Sequence, residues 1–92
     1  MTMEQAHELF TESVQGLAVA GLLPADLAKI PIAPETKMAD LPIDSAGRMS
    51  LVVEVETRGG LSLPLDEVVD VETVHDFARV MIRSPRSGTA AH

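Results

Sequence analysis

The sequence predicts an all-α fold: a small four-helix bundle with a long first loop and a short third helix. Helix-period apolar stripes at both ends of the chain, a proline-broken stretch between residues 21 and 44, and a scarcity of rings carry that reading. Met3, Ala6, Phe10, Val14 and Leu17 recur at steps of three and four, while Glu4, Glu8 and Glu12 fall off that stripe. This is the pattern of a helix over 3–19 that buries one face. Its early glutamates suit the positive end of the helix dipole, and Gly21 followed by Pro24 supplies a stop.

Pro24, Pro31, Pro34 and Pro42 forbid a continuous helix through residues 21–44, because each would remove an amide donor and clash with the preceding turn. Leu22, Leu23, Leu27, Ile30, Ile32, Met38, Leu41 and Ile43 make this loop too apolar to stand in solvent. It is expected to lie across helix ends as part of the core, with a short turn at 25–29. Loops of about twenty residues are uncommon without a role, which points to function nearby.

Asp44 is placed to cap the next helix, since a short carboxylate accepts hydrogen bonds from orphan first-turn amides. Ser45 then occupies the first exposed position. Met49, Leu51, Val52, Val53 and Val55 give this helix two adjoining apolar faces, and Arg58-Gly59-Gly60 ends it. Leu61-Ser62-Leu63 reads as a connector into Pro64, followed by a short third helix over about 64–70. Thr73 and Asp76 form a capping-box pattern, and Val74, Phe77, Val80 and Met81 line one face of a helix over 74–83. The organisation is a single helical domain over 1–83 and a disordered tail over 84–92, whose small polar residues have little to bury.

At 92 residues the chain is too short for two independent cores. With 46% apolar residues but only Phe10 and Phe77 as rings, packing must rest on aliphatic side chains and Met. Fourteen acids against seven basic residues give a net charge of -7, which disfavours nucleic acid and anionic membranes and favours basic protein surfaces. Arg79, Arg83 and Arg86 make only the end of the chain locally basic. The absence of Cys excludes disulfides and thiolate metal sites, and with no secretory pattern or membrane-length apolar run it leads to an expectation of a cytoplasmic protein.

No catalytic constellation is legible. His7, His75 and His92 read as solvated surface side chains, with no spacing that calls for a metal or a triad around Ser45, and Gly59-Gly60 lacks the companions of a phosphate-binding loop. Asp44-Ser45 alone is ordinary capping chemistry. Its setting is not: an apolar loop ends in Leu41-Pro42-Ile43, the serine follows at once, and a valine-rich helix lies behind it. A phosphodiester on Ser45 would sit near unpaired amides at the positive end of the helix. Glu54, Glu56, Asp66 and Glu67 either keep a solvated face soluble or offer basic enzymes a docking surface beside the serine, together with Ala46, Met49 and Val53.

Asp44-Ser45-Ala46, the following Met49, Leu51, Val52, Val53 and Val55, the turn Arg58-Gly59-Gly60 and the lead Asp70–Phe77 together resemble the acyl carrier and peptidyl carrier family. The resemblance spans roughly residues 4–83 and rests on the order of elements. It implies a bundle of acyl-carrier type and a free-standing, non-catalytic carrier. Ser45 would bear covalent 4'-phosphopantetheine, installed from coenzyme A by a phosphopantetheinyl transferase, with Asp44 as the helix cap beside it. Acyl- or aminoacyl-loading and condensing enzymes are then the implied partners, and the expected state is a monomer without metal, nucleic acid or membrane.

Two residues depart from the family pattern. Ala46 stands where leucine is usual, and Ser50 where fatty-acid carriers often have an acid. These favour polyketide or nonribosomal peptide secondary metabolism over fatty-acid synthesis. An unmodified helical protein-interaction module of the same fold stays open as the alternative.

Overall fold

A computed structural model describes residues 1–84. Helices α1 (Met3–Val19), α2 (Ser45–Gly59), α3 (Leu65–Val68) and α4 (Val74–Arg83) follow in order, with 3-10 turns at Ala25–Ala28 and Met38–Asp40 between α1 and α2. The all-α, four-helix expectation is met: no strand forms among the described residues, and Lys37 and Thr73 pair in an isolated bridge. Apart from Ser84, the expected tail lies outside the described residues.

Helix ends follow local chemistry closely. The Thr73 hydroxyl accepts from the Asp76 amide at 3.1 Å and the Asp76 carboxylate accepts from the Thr73 amide at 3.3 Å, completing the expected capping box of α4. A second box, not anticipated, starts α1: Thr2 Oγ1 accepts from the Gln5 amide at 3.1 Å, and Gln5 Oε1 accepts from the Thr2 amide at 2.9 Å. The pattern Thr2-x-x-Gln5 was present to be read. Gly60, at φ 63°, caps α2 in the left-handed region that a side chain would strain.

α1 and α2 run antiparallel and close together. A side-chain carbon built at Gly16 would lie 2.5 Å from Arg58 Nη2, and one at Gly59 would lie 2.6 Å from Leu9 Cδ2. At the centre, the Phe10 and Phe77 rings meet edge to face, centroids 5.0 Å apart and planes at 67°, joining α1 to α4. Both are fully buried.

Three expectations need correction. The two apolar faces of α2 do not both pack: Leu51, Val52 and Val55 enter the core, whereas Met49 is 41% and Val53 56% exposed. The helical repeat sends positions 49 and 53 to one side and 51, 52 and 55 to the other. The long loop buries Leu23, Leu27, Met38 and Leu41 but leaves Leu22 and Ile30 exposed. It is also tied by backbone bonds, Met38 N–H to Glu72 O at 2.7 Å, Val74 N–H to Thr36 O at 2.9 Å and His75 N–H to Pro34 O at 2.8 Å. These non-local bonds have no signature in a local pattern. Finally, His7 is half-buried, and its Nε2 is enclosed without a hydrogen-bond partner among the described residues, while His75 is exposed as expected.

Val52 is 3% exposed. Val52→Ala is expected to cost roughly 1–3 kcal/mol, read as a lower denaturation midpoint at unchanged slope.

Candidate functional site

Ser45 is the first residue of α2 and is exposed. Asp44, in extended conformation, caps the helix: its Oδ1 accepts from the Gly47 amide at 2.7 Å, and its carbonyl accepts from the Arg48 amide at 2.8 Å. The cap therefore belongs to Asp44, and the serine hydroxyl is not spent on it. The remaining first-turn amides leave a partial positive charge around that hydroxyl.

Gly47, which drew no notice in the sequence, shapes this turn. It is buried, and a side-chain carbon there would stand 2.8 Å from Leu23 Cδ2 and 3.1 Å from both Asp44 Oδ1 and Ile43 Cγ2. The long loop thus presses directly on the start of α2. A glycine near a helix start is too common to signal such contact by itself; the apolar loop before it was the available clue.

An open cavity of about 510 Å³ adjoins the serine, lined by Ile43, Asp44, Ser45, Arg48, Met49 and Val69. A neighbouring groove of about 310 Å³ continues along α2 over Leu17, Leu22, Met49, Ser50, Val53 and Glu54. Met49 borders both, and with Ala46 and Val53 it forms an exposed stripe one turn apart along the helix. Met38, by contrast, is a core side chain at 1% exposure.

The acids differ in their engagements. Glu54 pairs with Arg58 at 2.6 Å one turn along α2, and Glu67 on α3 pairs with Arg83 at 3.0 Å. Asp66 is exposed on α3. Glu56 is half-buried, and its Oε2 accepts from the Leu63 amide at 2.8 Å, so it anchors the connector to α3. That connector buries Leu61 and Leu63 and exposes Ser62, which accounts for its alternation. Among the described residues no group of three His, Cys, Asp or Glu side chains could hold a metal ion, and no helix is long and apolar enough to cross a membrane.

The family described as "Phosphopantetheine attachment site" matches residues 18–81, more than half of the chain and a span containing Ser45. The chain belongs to this family. Comparisons with curated proteins and with solved structures returned no match. As a member of the acyl and peptidyl carrier family, the domain is a non-catalytic carrier, and its membership implies dealings with a phosphopantetheinyl transferase and acyl-processing enzymes. The residues present suit such an arm. The carrier offers an exposed hydroxyl, an amide-rich helix start for an anion, and open space beside both.

Proposed function

We propose that the chain carries acyl or aminoacyl groups as thioesters on a 4'-phosphopantetheine arm at Ser45, serving polyketide or nonribosomal peptide biosynthesis. The exposed hydroxyl on the first residue of α2, beside a separate cap residue, is the observation that carries this reading. When attached, the arm supplies the thiol that a chain without Cys does not have. In the loading step the Ser45 oxygen–phosphorus bond forms as the pyrophosphate link of coenzyme A breaks. The serine proton passes to a base on the transferase, and the adenosine bisphosphate part leaves. Ser45 needs no activating base of its own, which suits an exposed serine whose adjoining cavity is lined by no histidine among the described residues.

Ala46, Met49 and Val53 would supply apolar grip for transferase and synthase enzymes, with Glu54, Glu56, Asp66 and Glu67 guiding basic partners to the same side. Glu56 contributes to that surface while also holding the Leu63 amide. The Ala46 and Ser50 departures support secondary metabolism over a fatty-acid role. Cytoplasmic placement belongs to the same proposal.

Incubation with coenzyme A and a broad-range phosphopantetheinyl transferase tests the reading by intact mass. One added phosphopantetheine per chain, located by fragmentation on the Ser45 peptide, is the expected result. Repeated absence of a mass gain with a folded chain would favour the unmodified interaction module instead.

Charge guidance has its own test. Asp66→Lys changes an exposed side chain and should leave the fold intact. It is expected to slow loading several-fold at low salt and much less near 1 M salt, where screening extends only about 3 Å. Equal slowing at both ionic strengths would remove the electrostatic part of the docking proposal. Glu56→Lys is less suitable, because it would also release the Leu63 amide.

A further inference from the structure

Arg48 breaks a local rule. It lies in the first full turn of α2, three residues after Ser45, where a cation opposes the helix dipole, and that turn contains no acid apart from the capping Asp44. The half-buried side chain reaches across to α3, and Nη1 donates to the Val69 carbonyl at 3.0 Å. Val69 is the C-terminal cap of α3, a four-residue helix that otherwise leans on α4 through buried Val68 and the Glu67–Arg83 pair. Arg48, Ser45 and Val69 also border the same open cavity. One guanidinium therefore holds the end of a short helix and shares a cavity with the Ser45 hydroxyl.

Resting on the carrier reading above, we propose that Arg48 is a modification-sensitive latch. In the unmodified chain it ties α3 to α2 through Val69; once Ser45 bears a phosphodiester, it turns to that anion and releases the end of α3. Residues three apart on a helix are neighbours, so the guanidinium can reach a phosphate at position 45 without moving the backbone. The exchange is favoured by charge. A carbonyl offers a partial charge, while a phosphodiester offers a full one in a geometry that matches the guanidinium fork. Asp44 strengthens the case, because its carboxylate would repel a new anion one residue away and Arg48 is placed to offset that repulsion. The consequence is a docking surface whose α3 side differs between unmodified and modified carrier.

The experiment compares wild type and Arg48→Gln, each before and after loading from coenzyme A, with intact mass reporting the modification. Amide exchange at Val68, Val69 and Asp70, whose amides bond to Pro64, Leu65 and Glu67 carbonyls, reports the latch. In wild type, loading is expected to speed this exchange roughly fivefold; unmodified Arg48→Gln should already exchange at the faster rate, and loading it should add nothing. The phosphorus resonance of the loaded chain should also shift between wild type and Arg48→Gln, with Arg48→Lys falling between them. Direct contact predicts that shift, and a purely structural role does not. A carrier that loads normally but shows the same phosphorus resonance in both chains, or an equal loading effect on exchange in both, overturns the latch and leaves the carrier reading standing. Failure of wild type to gain mass would instead overturn the carrier reading itself.

Discussion

Ser45→Ala is expected to lose phosphopantetheine loading entirely while its stability stays unchanged or rises slightly. The two halves of this expectation have separate causes. Loading is expected to stop because the new bond would be made from the serine oxygen, and among the described residues no other hydroxyl shares its setting: those of Thr2 and Thr73 also stand at helix starts but serve as caps. Ser50 is half-buried within α2, and Ser62 stands in the connector to α3, away from any helix N-terminus of comparable length. Stability persists because the capping bond to the Gly47 amide comes from Asp44 and not from Ser45. Alanine is also the better helix former by a few tenths of a kcal/mol, and substitutions at exposed positions usually stay within about 0.5 kcal/mol. Intact mass after transferase treatment and a thermal melt together check both halves. Residual loading of the alanine variant would place the attachment elsewhere and sink the helix-start account; a large stability loss would show that the hydroxyl is structural.

Phe77→Ala should bring the fold close to unfolding. Phe77 is fully buried and meets Phe10 edge to face at 5.0 Å, in a core whose other members are aliphatic, Met or small. Truncating a buried Phe costs about 3–5 kcal/mol, because the transfer term is lost and a cavity remains. The Phe10 ring would lose its aromatic neighbour as well, a contact worth about 0.5–1.5 kcal/mol and already contained in that range of loss. Against a total stability of about 5–15 kcal/mol, this is a large fraction for so small a domain. The thermal midpoint should fall by roughly 10–30 °C. Phe77→Leu should recover most of the loss, since it restores volume without the ring. A drop below about 1 kcal/mol in Phe77→Ala would mean that the two rings do not organise the core as described.

The helices were legible where neighbouring residues alone set them. The stripe Met3 to Leu17 and the Thr73–Asp76 pair carry periodicity and capping chemistry within one or two turns, so α1 and α4 have the bounds expected. Ser45 at the start of α2 was legible for the same reason, because Asp44 declares the cap one residue before it. The misread parts depend on contacts between segments distant in sequence. Met49 and Val53 look as apolar as Val52 and Val55, and only the placement of α1 against α2 decides which side of α2 meets water. Glu56 looks like any surface acid until the chain returns at Leu63 to use its carboxylate.

By itself the sequence determined the helical class, the caps, the breaks at proline and glycine, and the position of the hydroxyl that opens α2, since all of these arise from backbone sterics and hydrogen bonds within a few residues. The tertiary structure decided which apolar residues remain exposed beside Ser45, how Gly47 admits the loop, and why Arg48 meets Val69. The physical reason is that burial and charge pairing depend on which segments arrive in the same place, and residues twenty positions apart carry no local mark of their meeting.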